Sequence, residues 1–364
     1  MSRRISLLIL LTLLAGQCLA AEPTVDKTSI LVKTVKQLFW AGNDKQVWKW
    51  TPSIEFRVNG PLAAGTQLYV DYSIQGKPFV SYKCEDIGEI NEYGYWNTYG
   101  GRAADPLRSK ASTYTGYVNF TIKAKNPLEN TNKVLYTGKF KVGKFAYPWS
   151  KHANYKEAYT YYVDYDWALP ITFLTCACKE MNVDWVTPLS SPLMCYMWFK
   201  GDEQKHKPPT AYLYLNGKKV GDTQEGGACW EKLNAQSWEH SENSYHFYQF
   251  IFSFVLAQMR PGVEQNPRAI KLWENPGQYE IKVLWEGKLA RTAKFTVESD
   301  GAIVDGGLSA QLNAKCFQPD EKTLSNWTPL FPVKITDNLN IPFTKTAWQT
   351  DAYFGNPIKG FTAQ

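Results

Sequence analysis

The side chains best suited to chemistry in this chain are few and scattered. Four histidines occur: His152, His206, His240 and His246. None belongs to an H-E-x-x-H zinc-protease signature, and there is no G-x-S-x-G elbow and no phosphate-cradling glycine loop. Glu239-His240 and Glu242 with His246 make a small acid/base group, but in a Ser- and Asn-rich stretch that reads as a solvated loop. Glycoside hydrolysis needs only two carboxylates at a set separation. Asp86, Glu89, Glu92, Asp164 and Asp166 are the acids available for it, and distance along the chain does not supply that separation. No catalytic residue, cofactor site or metal ligand is assigned on this basis.

Cysteines are the next candidates. Cys18 lies in an N-terminal leader, which leaves Cys84, Cys176, Cys178, Cys195, Cys229 and Cys316. An even count in an exported chain points to disulfides. Cys176 and Cys178, two apart on an expected strand, face the same side and are poorly placed to bond each other. Each then needs another partner, with Cys195 and Cys229 nearby in the chain. Cys84 and Cys316 are harder to place, and one of them could be a free thiol. The competing arrangement is a metal site from Cys176, Cys178, Cys195 or Cys229 with His240 or His246, but the two tight C-x₂₋₄-C pairs of structural zinc are missing.

The leader is the clearest local signal. Arg3-Arg4 precede an apolar run, Ile5 to Ala15, and Cys18-Leu19-Ala20 places small residues where signal peptidase reads. The run is shorter than the roughly 20 residues of a membrane span. Gln17 stands where a lipobox needs Gly or Ala, so lipidation of Cys18 is not expected. Cleavage after Ala20 leaves 364 − 20 = 344 residues and, with Arg3 and Arg4 gone, lowers the formal charge from +6 to +4. The basic residues that remain are dispersed, which argues against nucleic acid as a partner. No later segment is apolar enough to anchor the product. The expected location is the periplasm or the cell exterior.

What must position any site is strand. Trp, Tyr and Phe make up 15% of the chain, and aromatics suit a pleated, half-buried surface. They either fill sandwich cores or stand exposed as platforms that stack on sugars or partner side chains. A repeat organises them: Lys133-Val134-Leu135-Tyr136-Thr137-Gly138-Lys139 returns as Lys282-Val283-Leu284-Trp285-Glu286-Gly287-Lys288. Other matches keep the same order: Trp50-Thr51-Pro52 with Trp185-Val186-Thr187-Pro188, Leu68–Tyr72 with Tyr212–Asn216, Cys84 with Cys229, and Glu129-Asn130 with Glu274-Asn275. A unit of about 125–150 residues is a domain rather than a solenoid repeat.

Tyr279, Ile281, Val283 and Trp285 alternate with more polar neighbours, Glu286-Gly287 turns, and Leu289–Val297 returns; Thr137-Gly138 is expected to turn likewise in the first copy. This stretch resembles the closing hairpin of immunoglobulin-like and fibronectin type III-like sandwiches, a resemblance of fold that carries no function. The expected architecture is all-β: two tandem sandwiches of that kind from an internal duplication, over residues 21–147 and 148–299. A signal peptide (1–20) precedes them, and a linker with a short C-terminal extension (300–364) follows. Tyr245–Met259 alternates as a strand at Tyr248, Phe250, Phe252, Phe254 and Leu256, while Phe247, Phe250, Ile251 and Phe254 also fit a helical face; the match to Tyr117–Ile122 favours strand, and Arg260-Pro261-Gly262 ends the run either way.

Two regions break the repeat. The Glu85–Lys110 loop carries Tyr93, Tyr95, Trp96 and Tyr99, and long aromatic loops on rigid sandwiches are common binding sites. The aromatic stretch after Pro148 (Tyr155, Tyr159, Tyr161, Tyr162, Tyr165 and Trp167) is read as the first strand of the second copy. Asn326-Trp327-Thr328-Pro329 opens the tail like a third copy, and Asn119 and Asn326 lie in N-x-[ST] sequons. The function expected is that of an exported non-enzymatic binding or cell-envelope interaction protein with a protein or polysaccharide partner. The alternative is a carbohydrate-active hydrolase with an accessory sandwich.

Overall fold

The computed structural model describes residues 23–41, 45–59, 62–86, 97–101, 110–146, 159–176, 193–200, 209–223, 228–233, 235–237, 247–256, 270–304, 306–312, 330–336 and 342–362. These residues form an all-β protein. Period-2 alternation makes the strands: along Gly116–Asn126, Val118, Phe120, Ile122 and Ala124 turn inward while Tyr117 and Asn119 face out.

The first half of the chain holds β1 (Thr24–Ala41), β2 (Lys45–Asn59), β3 (Gln67–Ile74), β4 (Lys77–Lys83), β5 (Glu85–Asp86), β6 (Asn97–Gly101), β7 (Gly116–Asn126), β8 (Thr131–Ala146) and β9 (Tyr159–Val163). They build two sheets, in the orders β1-β2-β6-β5 and β4-β3-β7-β8-β9. The second half holds β10 (Ile171–Cys176), β11 (Leu193–Lys200), β12 (Thr210–Leu215), β13 (Lys218–Asp222), β14 (Ala228–Leu233), β15 (Ala235–Ser237), β16 (Phe247–Ser253), β17 (Val255–Leu256), β18 (Gly277–Trp285), β19 (Lys288–Val297) and β20 (Leu330–Ile335). Here the orders are β10-β11-β16-β14 and β13-β12-β18-β19. Strand for strand, the second half repeats the first. The β3–β4 and β12–β13 hairpins also turn alike, on Gln75-Gly76 and Asn216-Gly217, all four residues at positive φ.

The tail completes this frame. Leu330–Pro332 of β20 pair with β10, and Val333–Ile335 pair with β19, so one strand crosses between the two sheets of the second half. Pro332, which has no N–H to give a ladder, falls at the crossing. Helix α1 (Leu308–Leu312) precedes this strand, and α2 (Trp348–Gly355) packs on β8. Among the described residues no helix is long and apolar enough to cross a membrane.

Two cores result, and β10, β11 and β16 separate them. Cys195, Met197, Phe199, Phe250 and Phe252 enter the second core, while Phe173, Tyr196, Trp198, Phe247 and Ile251 point back into the first. A sheet covered on both faces has no solvent side, which explains the unbroken apolar run Leu193–Phe199. The second half also reaches over the first through β15, which pairs in parallel with Thr34–Lys36 of β1.

Several expectations need correction. The two heptapeptides are not structural equivalents. Glu286-Gly287 does turn, at φ 48° and 78°, but Thr137 and Gly138 lie inside β8, paired with Thr121 and Phe120. The turn before β8 spans residues 127–130. The Tyr245–Met259 run does contain strand, as β16 and β17, yet β16 takes the position of β6; the match to Tyr117–Ile122 in β7 belongs to β18.

The disulfide reading is corrected at Cys84 and Cys195, both buried free thiols. Cys195 Sγ stands 3.3 Å from the Thr172 hydroxyl. Cys195 and Cys229 both pair with Phe252 from opposite sides, two strand spacings apart, or about 9.5 Å, beyond disulfide reach. Cys176 is paired with Leu193, so it lies diagonal to Cys195 at about 7–8 Å, also too far. Cys178 and Cys316 lie outside the described residues.

Candidate functional site

The site is a narrow cleft where the two halves meet. Its first wall is a bulge in β1. Asp26 pairs with Arg57 and Leu31 with Glu55, so the four residues 27–30 face the single residue Phe56. Asp26 holds the bulge: its Oδ1 accepts from the Thr28 amide (3.0 Å) and the Thr28 hydroxyl (2.7 Å). Ser29 Oγ donates to the Asp26 carbonyl at 2.6 Å. Ile30 turns into the core, while Lys27 and Thr28 line the cleft.

The second wall follows β9. Asp164 Oδ1 accepts from the Asp166 amide at 2.9 Å and starts a 3-10 turn, Asp166–Ala168. This carries the Tyr165 phenol across to β1, where it accepts from Val32 N–H and donates to Val32 C=O, both at 3.0 Å. The Tyr165 ring stacks on Trp198 (3.9 Å between centroids, 11°), and beside it Phe173 stacks on Tyr196 (4.5 Å, 14°).

The tail closes the third side. Tyr353 and Phe354 hold φ values of 41° and 58°, a left-handed backbone that costs bulky aromatics free energy and survives only under tight packing. The packing is visible. Tyr136 OH donates to Tyr353 C=O at 2.7 Å, Asn356 Nδ2 donates to the same carbonyl at 3.1 Å, and the Phe354 ring meets Phe120 edge-on at 5.6 Å.

Gln249 lies on the sheet side of this cleft. It faces the first core from β16 between Phe247 and Ile251, cross-strand from Trp198, on a surface otherwise apolar. Gln249 is buried, at 7% exposure. The Tyr353 hydroxyl is buried and has no hydrogen-bond partner among the described residues. The space the cleft encloses is small, about 20 Å³, room for about one water molecule.

The electrostatics are one-sided. None of the thirteen lining residues is a carboxylate, and Lys27 is the cation among them. Partial burial lowers the Lys27 ammonium below its ordinary value, with no anion among the described residues to hold it up. Behind the wall, burial raises the Asp26 carboxyl despite its Thr28 hydrogen bonds and Arg57. Burial, with the nearby Asp26 charge, pushes the Tyr353 phenol far up.

The acids considered for hydrolysis are elsewhere or already engaged. Asp166 is buried; Oδ1 accepts from Lys200 Nζ at 3.0 Å and Oδ2 from the Thr344 amide at 2.7 Å. Lys200 also donates to the Pro342 carbonyl, so this group brackets β11 to the tail. Asp164 is raised by burial and by the neighbouring Asp166 charge, with Lys141 3.6 Å away. Asp86 pairs with Tyr99 at a sheet edge, and Glu89 and Glu92 lie outside the described residues.

Of the aromatic loop residues, Tyr99 falls in β6, paired with Phe56 and Asp86, while Tyr93, Tyr95 and Trp96 lie outside the described residues. The aromatic stretch read as the first strand of the second copy instead gives β9, which pairs with β8 in the sheet of the first half, and beyond it Tyr165 and Trp167 reach the cleft. Gln249 was missed. The available signal was a single carboxamide inside the run Phe247–Phe254, at the phase shared by Phe247 and Ile251. No protein-family model matches the chain, and no curated protein matches it. Function therefore has to be argued from the site itself.

Proposed function

We propose that this is an exported, non-enzymatic binding protein that holds part of a protein or polysaccharide partner in the cleft between its halves. The observation that carries this reading is the aromatic cleft itself, open to solvent, where the rings of Tyr165, Trp198, Phe173 and Tyr196 meet the polar side chains of Gln249 and Lys27. Ligand sites are commonly apolar clefts with a few placed polar groups. Support for export comes from the Arg3–Ala20 leader alone.

We further propose that the halves are immunoglobulin-like or fibronectin type III-like sandwiches related by duplication, over residues 21–147 and 148–299, with 300–364 adding the crossing strand and the tail. The repeated strand order supports this, since each half pairs a β1-β2-β6-β5 set with a β4-β3-β7-β8 set, as such sandwiches do. The hydrolase alternative gains no support at the cleft, because its walls offer no acid/base pair. Purified mature protein run on a glycan array, in partner capture and in a hydrolase panel tests the reading. Binding without turnover is expected; turnover of any polysaccharide would overturn it.

A further inference from the structure

The cleft as it stands has room for a water molecule, so a partner segment enters only where a wall gives way. The wall that can do so is the tail. Residues 342–362 join no sheet among the described residues, and they are held as a bound peptide is held. Three side chains reach the tail's main chain. Lys200 Nζ donates to the Pro342 carbonyl at 2.8 Å, Asp166 Oδ2 accepts from the Thr344 amide at 2.7 Å, and Tyr136 OH donates to the Tyr353 carbonyl at 2.7 Å. Every peptide offers such groups. Phe354 fills an aromatic socket, edge-on to Phe120 (5.6 Å), Trp167 (5.5 Å) and Tyr165 (5.9 Å), while Tyr353 lies 5.2 Å from Trp167. Docking is costly for the tail itself. Tyr353, Phe354 and Gly355 are three successive left-handed residues, and the Tyr353 hydroxyl is buried with no hydrogen-bond partner among the described residues. Both costs vanish when the segment leaves, which makes opening easier than the buried rings alone would allow.

We infer that the tail is an autoinhibitory plug: Tyr353 and Phe354 occupy in cis a socket that receives an aromatic pair from a peptide segment of a protein partner. This rests on the binding reading above and takes its protein branch. The test uses the full mature chain and a fluorescent synthetic peptide of residues 342–362. Gly355→Ala loosens the plug, because that glycine holds φ at +85° and a Cβ on it would collide with the Lys139 side chain. Asn356→Ala loosens it too, by removing the carboxamide's bonds to the Tyr353 carbonyl and the Tyr136 hydroxyl. Neither variant changes a residue of the socket. Peptide affinity should rise about tenfold or more from parent to variant, in proportion to the fraction of open socket. A peptide with serine in place of both Tyr353 and Phe354 should not bind. In the parent, the Asp351 and Asn356 amides, bonded within the tail, should exchange with deuterium about tenfold or more faster than those of β10 and β11.

Tail amides that exchange only in step with β10 and β11 would overturn the inference. So would peptide affinity no higher in either variant than in the parent, or full binding by the serine peptide. Asn356→Ala and the parent's exchange decide the matter where Gly355→Ala does not fold. The binding reading is decided separately. Partner capture by a parent whose tail never opens keeps that reading with its site elsewhere, whereas peptide binding with no partner captured keeps the plug and sinks that reading.

Discussion

Asp26 and the two buried thiols show what burial does to single groups, and each gives a measurable consequence. Burial lifts the Asp26 carboxyl above its ordinary value of 3.8, so between 3.8 and that raised value the folded protein holds a proton that the unfolded chain has released. The resulting stability is fully present below 3.8 and is lost as pH rises through the folded value. Asn at this position keeps an oxygen for both Thr28 hydrogen bonds and carries no charge. Asp26→Asn should therefore be more stable than the parent at pH 7, by about 1.4 kcal/mol for each pH unit of displacement. The difference between variant and parent should vanish toward pH 3 in denaturant titrations; a variant less stable at pH 7 contradicts this account. The thiols of Cys84 and Cys195 are both pushed up to about 12 by burial. At pH 8 both should resist iodoacetamide in the native protein and alkylate fully in denaturant without reductant, as read by peptide mass. A disulfide-linked peptide containing either one would refute the free-thiol assignment.

Elements carry the contrast between the two glycines of the repeated heptapeptide. Gly138 lies in β8, where a Cβ would stand 2.8 Å from two atoms of the Phe120 ring and 3.0 Å from Phe354 Cβ. Its smallness is demanded first by Phe120 on the neighbouring strand and then by Phe354 of the tail. Gly287 has open space around it but holds φ at +78°, so its demand is conformational. Asparagine tolerates the left-handed region and adds volume. Gly287→Asn should cost under about 1 kcal/mol, whereas Gly138→Asn should cost about 2–3 kcal/mol by overpacking and should speed protease cleavage near Phe354. Equal costs would mean the two copies are equivalent after all. This pair also marks what the sequence could reveal. Strand character was legible, because Tyr279, Ile281, Val283 and Trp285 alternate and Glu286-Gly287 turns. The register between copies was not, because identical residues served one copy as a turn and the other as a docking surface for Tyr353 and Phe354. The cleft was legible only in pieces. Tyr165, Gln249 and Tyr353 are 84 and 104 residues apart along the chain, and neither period nor composition signals that they meet.

At the scale of the whole molecule, the two halves share a core rather than sitting side by side. The first core takes Phe173, Tyr196, Trp198, Phe247 and Ile251 from the second half, and Leu330, Tyr353, Phe354, Ile358 and Phe361 from the tail. Tyr165 and β15 cap the edge of β1, and Lys200 ties β11 through Asp166 to the backbone of Thr344. Tandem sandwiches joined only by a linker unfold independently, since each keeps its own core. Here, loss of the second half would strip one wall from the first core, and loss of the tail would leave Gly138 and Phe120 facing a void. The crossing strand β20 makes the dependence mutual, because without it β10 and β19 become open edges. Calorimetry of the mature protein should accordingly show one transition, with calorimetric and van't Hoff enthalpies agreeing. A chain ending at residue 299 should melt at a markedly lower temperature in both halves, not in one. Two resolved transitions, one of them unmoved by that truncation, would mean that the shared core contributes little and that the cleft joins two independent bodies.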